Sequence, residues 1–185
     1  MALDIIKIQI EENKKNLVYY KTDHHWSDSG IYVSFLALMK EIKKSYPDIN
    51  IIDIKDFKKS YNKKVNSFWN SNLHNGAMLR NSGISDIIAN KILDTEYVYY
   101  EHKDSDIFKK ADNKFNDKYD GYFYYPKGYN KKVMLIGESF SLGLLKFLPY
   151  QFRETVHLSD NKRLMCFYKY KDTIDDYKPD IIIIN

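Results

Sequence analysis

Apolar residues recur along the chain in runs and spacings that mark out its elements. Leu17 to Tyr20 is a short apolar, β-prone run that ends at the polar cluster Lys21-Thr22-Asp23-His24-His25, which predicts a strand delivering a polar loop. A helix is expected at once afterwards. Ser27 or Asp28 can cap it, and Tyr32, Phe35, Leu36, Met39 and Ile42 recur at helical spacing until Tyr46-Pro47 ends it. Ile49 to Ile54 reads as a further strand, alternating or buried. The pattern then weakens into a stretch rich in Asn, Lys, Asp and Tyr, which reads as a polar insertion or lid around residues 58–130. Within it Ile84 to Leu93 fits a short helix and Tyr97 to Tyr100 a strand.

Order returns at Lys131. Val133 to Ile136 is a buried strand by its composition, bounded by charge on one side and Gly137 on the other. Glu138-Ser139-Phe140-Ser141 follows, then Leu142, Leu144, Leu145 and Leu148 before Pro149, the pattern of a short helix. Thr155 to Leu158 predicts a strand, Asp172 to Tyr177 a helix, and Asp180 to Ile184 a last strand. Such alternation argues for an α/β fold with parallel strands and helices on the sheet faces. At 185 residues and 44% hydrophobic content, the chain suits one domain with a sizeable core. Both ends read as cut: the first residues enter an element without preamble, and KPDIIIIN stops at the edge of a core strand. A fragment of a longer protein is therefore expected.

Charge and cysteine content narrow the function classes. The formal charge of +4 arises from 29 basic and 25 acidic residues with no block of one sign, so nucleic acid is not favoured as a partner. The lone Cys166 rules out an intrachain disulfide and a cysteine metal cluster. No window approaches the run of roughly 20 apolar residues that crosses a bilayer, and the opening segment lacks the order of a signal peptide.

Two segments carry candidate chemistry. A serine hydroxyl becomes a nucleophile when a base takes its proton and an exposed turn presents it to substrate. Ser139 stands where a buried strand gives way to a helix, at the end of the strand where α/β sheets place ligands, and Gly137 relieves the turn sterically. Free N–H groups opening the helix can stabilise a developing oxyanion. The plainer reading makes Gly137-Glu138-Ser139 an ordinary helix entrance with Ser139 as its cap. Upstream, the carboxylate of Asp23 can fix the tautomer of a nearby imidazole and stabilise its protonated form. Asp23, His24 and His25 could instead hold a metal in a metal-dependent hydrolase. Adjacent side chains on a strand face opposite ways, which separates His24 from His25, whereas Asp23 and His25 can share a face. A purely structural polar loop is the third reading.

Other polar clusters have plainer readings. His74 beside Asn75 and Gly76 reads as a turn neighbour, although these residues could line a cleft. Glu101, His102, Asp104 and Asp106 offer ligand atoms without a recognised zinc or calcium spacing. The 17 tyrosines are scattered rather than patterned, and Arg163 has a surface role by default.

The segment TDHHWSDSG followed by a helix, and VMLIGESFS about a hundred residues later, resembles the DHHW group of SGNH-like proteins, relatives of the alginate O-acetylation proteins AlgJ and AlgX. The resemblance implies a three-layer α/β/α, flavodoxin-like SGNH-hydrolase fold in circularly permuted motif order. It makes Ser139 the nucleophile, His25 the catalytic histidine and Asp23 its orienting carboxylate. Trp26 matches a recurring tryptophan that packs beside the site or stacks on sugar. Glu138 departs from the more common Asp. Asn185 stands where the family's oxyanion asparagine would be, while Ser159 to Arg163 occupies the place of the oxyanion glycine without containing one. The implied function is an O-acetyltransferase or acetylesterase acting on an extracytoplasmic polysaccharide without metal or other cofactor. The implied partners are the polysaccharide acceptor and an acetyl donor delivered by a membrane acyltransferase, with the full-length protein secreted or anchored. The missing glycine leaves an alternative: an inactive carbohydrate-binding or assembly module on the same fold.

Overall fold

The computed structural model describes residues 5–20, 25–62, 97–104, 109–110, 121–159 and 167–184. The chain divides into two compact units, residues 1–103 and 104–185.

In the first unit, helix α1 (Ile6–Asn13) packs on the longer α2 (Asp28–Ser45). Gln9 of α1 is buried and donates to the Ser34 hydroxyl at 3.1 Å, and Ser34 in turn donates to the Gly30 carbonyl at 2.8 Å. Ser27 caps α2 through the Gly30 N–H, which satisfies one of the donors left open at a helix start. Phe35, Met39 and Ile42 are buried as their spacing predicts, but Ile31, Val33 and Ala37 are buried too, while Tyr32 and Leu36 are only half covered. The helix is thus covered around more of its circumference than one apolar stripe implies. Residues 49–53 form no strand. Ile49 is fully buried, but Asp53 caps a 3-10 turn at Ile54–Asp56, and that turn diverts the backbone before it can pair. Strands β1 (Phe57–Asn62) and β2 (Tyr97–His102) then form an antiparallel ribbon. Within the expected insertion, the Ile84 to Leu93 helix lies outside the described residues.

The second unit is built on a five-stranded sheet. Strands β3 (Lys109–Lys110), β4 (Gly121–Tyr124), β5 (Tyr129–Gly137), β6 (Phe152–Ser159) and β7 (Ile181–Ile184) lie in the order β3-β4-β6-β5-β7. The three strands expected from the apolar runs are all present, and β5 pairs in parallel with both β6 and β7. The sheet as a whole is mixed. Strand β4, from the stretch read as an insertion, pairs antiparallel with β6; its Tyr-Phe-Tyr run is too short to stand out from a tyrosine-rich background.

Helices α3 (Ser139–Leu144), α4 (Leu148–Gln151) and α5 (Phe167–Tyr177) connect the parallel strands. Alternation sorts the strand residues to the two sheet faces. Met134, Ile136, Val156 and Leu158 pack against Tyr170 and Tyr177 of α5, and Leu135 and His157 point to the other face, where α3 lies. Helix α5 starts well before Asp172 and ends at Lys178, which takes the left-handed conformation (φ 52°) with its N–H on the Ile174 carbonyl at 2.8 Å, ahead of Pro179.

The start of β7 is tied to β5 by Asp180. Its carboxylate accepts from Lys131 Nζ and from the Lys132 N–H, each at 2.8 Å. Partial burial pushes its pKa up, but these two donors outweigh it and hold the group below the ordinary carboxylate value. A lowered folded-state pKa contributes stability above the unfolded value that is lost as pH falls through the folded one. Asp180→Asn is therefore expected to cost up to about 1 kcal/mol near neutral pH, given solvent screening of so exposed a pair. That difference should vanish in urea denaturation below about pH 3.

Candidate active site

The nucleophile candidate is placed by the central strand of the parallel triplet. Strand β5 ends at Gly137, which pairs with Ser159 of β6, while Ile136 pairs with Ile184 of β7. Glu138 is extended (φ −89°, ψ −153°) and exposed, and Ser139 opens α3, half-exposed. The serine therefore stands just beyond the carboxyl end of a strand flanked on both sides by parallel neighbours. Crevices in open α/β sheets form at such ends, where successive connections leave on opposite faces. Here α3 and α5 cover opposite faces. The turn is held by the Ser141 N–H, which donates to the Glu138 carbonyl at 3.0 Å.

The histidine candidate belongs to the first unit. The expected strand at Leu17 to Tyr20 is reduced to one antiparallel bridge, Tyr19 with Trp26, because few residues are free to pair before α2 begins. Tyr20 N–H donates to the His25 carbonyl at 3.3 Å, and Ser27 N–H donates to the Val18 carbonyl at 2.9 Å. The Ser27 hydroxyl closes onto the Leu17 carbonyl. His25 and Trp26 thus sit, both half-buried, on an arm fastened directly to the cap of α2.

That fastening depends on Gly30, since a Cβ there would lie 2.2 Å from the Val18 carbonyl oxygen. Behind the arm, the buried Asp28 carboxylate accepts from the Tyr100 N–H of β2 at 2.9 Å, and the Tyr32 and Tyr100 rings meet at 5.7 Å. Burial raises the pKa of both phenols, so they remain neutral donors through the physiological range.

Asp23, His24 and Asn185 lie outside the described residues, as do His74, Asn75, Gly76, Asp106 and Arg163. Three members of the second polar cluster are described. His102 is buried edge-on against Phe57 at 4.9 Å, Glu101 is exposed, and Asp104 accepts from Lys127 at 3.2 Å. Among the described residues no three His, Cys, Asp or Glu side chains are grouped to hold a metal, and no helix is long and apolar enough to cross a membrane.

Sequence reasoning missed one polar pair. Ser141 of α3 and His157 of β6 are both buried, with Oγ and Nε2 3.0 Å apart. The signal was a histidine at an inward position of an apolar strand, where a polar side chain needs a partner.

Residues 2–162 match the family described as "SGNH hydrolase-like domain, acetyltransferase AlgX". No curated protein sequence matches the chain. Among solved structures, a DHHW family protein from Eubacterium siraeum DSM 15702 superposes with a TM-score of 0.64 at 13% identity, over 96% of this chain and 61% of that one. Bacillus cereus PatB1 with a sulfonyl adduct gives 0.58 at 15% identity, over 95% and 63%. The O-acetyltransferase domain of Pseudomonas putida AlgJ gives 0.53 at 14% identity, over 99% and 57%. At these identities the likeness is one of fold. The chain spans about three fifths of the length of each of these structures.

Proposed function

Because this chain belongs to the family of SGNH hydrolase-like domains of the acetyltransferase AlgX, we propose that it is a serine-dependent O-acetyltransferase domain with Ser139, His25 and Asp23 as its triad. The observation that carries the reading is the position of Ser139, half-exposed on the turn that follows the central parallel strand. Strand-to-helix turns of this kind present a nucleophile with little strand around it to block substrate.

In the proposed reaction one ring nitrogen of His25 takes the Ser139 proton as Oγ bonds to the acetyl carbonyl carbon. The tetrahedral oxyanion is met by backbone N–H groups at the start of α3, with Asn185 as a further donor. The bond to the donor's leaving oxygen breaks as His25 returns the proton to it, leaving acetyl-Ser139. An acceptor hydroxyl then gives its proton to His25, attacks the ester and carries the acetyl group away, and Ser139 recovers its proton. Asp23 holds the imidazole in the tautomer these transfers need. The acceptor in this reading is an extracytoplasmic polysaccharide, with Trp26 packing beside it, and the acetyl donor is supplied by a membrane acyltransferase partner.

A serine-directed fluorophosphonate is expected to label Ser139, read as a mass shift on the peptide that contains it, with no labelling of Ser139→Ala. A folded protein that resists labelling at Ser139 would instead support a carbohydrate-binding or assembly module on the same fold.

A further inference from the structure

Beneath the Ser139 turn lies a polar pair that the proposed reaction does not use. Ser141 is fully buried and His157 is 2% exposed. His157 stands mid-sheet, opposite Leu135 of β5 and Gly121 of β4, so water cannot replace a missing protein partner. Burying a hydroxyl and an imidazole without hydrogen bonds costs on the order of a few kcal/mol, which an apolar pair of similar size would avoid. The Ser141 hydroxyl has one hydrogen and donates it to the Glu138 carbonyl. His157 must then supply an Nε2–H to Ser141 Oγ across the 3.0 Å between them. The result is a chain of donors running from His157 through Ser141 to the carbonyl immediately before Ser139, which also accepts the Ser141 N–H.

We infer that Ser141 and His157 are positioning residues for the nucleophile, fixing the orientation of the Glu138–Ser139 peptide; the inference rests on the reading of Ser139 given above. The connection is geometric. The peptide is planar and trans, so the Glu138 carbonyl and the Ser139 N–H point in opposite directions. Turning the carbonyl down onto two buried donors turns the Ser139 N–H up, away from the interior. It also sets the direction in which the Ser139 side chain leaves the turn. An oxyanion donor is effective only when it lies about 3 Å from where the negative oxygen will form. A rocking peptide loses that aim in the transition state, while ground-state binding of a small ester is unaffected.

Ser141→Ala and His157→Leu are expected to slow fluorophosphonate labelling of Ser139 by about tenfold or more. They should lower kcat for p-nitrophenyl acetate in step, with KM held within about twofold. His157→Gln, which keeps an N–H near the Nε2 position, should recover most of the loss. Each variant is compared at the same interval below its own melting midpoint, which removes differences that follow stability alone. Wild-type rates in folded Ser141→Ala and His157→Leu, a loss confined to KM, or a Gln variant no better than Leu would each overturn the inference. Should the apolar variants fail to fold, the imidazole nitrogens of the wild-type protein decide it by NMR. The inference requires His157 protonated at Nε2, and a neutral ring protonated only at Nδ1 overturns it. Absence of labelling at Ser139 in the wild-type protein would instead defeat the nucleophile assignment itself, and the two failures are distinct.

Discussion

Replacing His25 by Ala is expected to remove at least about a hundredfold of p-nitrophenyl acetate turnover, the range for loss of a general base, while His24→Ala costs far less. If the segment is extended, neighbouring side chains face opposite ways and only one of the two histidines shares a face with Asp23, which is the source of the expected asymmetry. His25 is anchored in place, with its carbonyl held by Tyr20 one residue before the bridge at Trp26. Asp23→Asn keeps the shape but can present the wrong tautomer to the imidazole, so its loss should be intermediate to severe. Steady-state kinetics on the three variants checks the assignment. Equal losses at His24 and His25 that respond to added zinc would assign the segment to a metal instead.

The largest loss of stability is expected from Gly30→Ala. A methyl group at that position would sit 2.2 Å from the Val18 carbonyl oxygen, and backbone cannot swing aside as a side-chain tip can. Either α2 shifts or the arm peels away, and the Ser27 N–H bond to Val18 is lost with it. Overpacking of this kind costs about 1–3 kcal/mol. For a domain of this size that corresponds to a fall in melting temperature of about 2–12 °C, readable by circular dichroism. Since the displaced arm carries His25, esterase activity should fall in the same variant even well below its melting point. An unchanged midpoint would show that the arm yields without cost.

The parallel half of the sheet was legible because Val133 to Ile136, Thr155 to Leu158 and Asp180 to Ile184 are apolar runs between polar turns, and buried parallel strands have that composition. The Ser139 turn was legible for the same reason, being the sole Gly-Glu-Ser junction between such a run and a leucine-rich helix. Strands β1 and β4 were not legible. Lys58, Lys59 and Ser60 give β1 no apolar signature, and its identity as a strand comes from its partner β2, far along the chain. Ile49 to Ile54 misled in the opposite sense, with suitable residues but no partner strand among the described residues, and a capped turn forms there instead. The Ser141–His157 pair was hidden because its meaning depends on a contact between a helix and a strand that residue order does not display.

The two halves of the proposed triad rest on mounts of very different stiffness. Strand β5 is paired along both edges, and Val133, Met134 and Leu135 are wholly buried, so its amides should exchange with solvent only when the whole sheet opens. The arm bearing His25 is joined to Val18–Tyr20 by a single bridge made of two main-chain bonds and by the capping serine, a far shorter ladder than that of β5, so it should open at lower cost than the sheet. In the proposed reaction the serine is thereby the fixed reference. Local opening of the few residues ahead of α2 would then lower the fraction of time in which the proposed base is available.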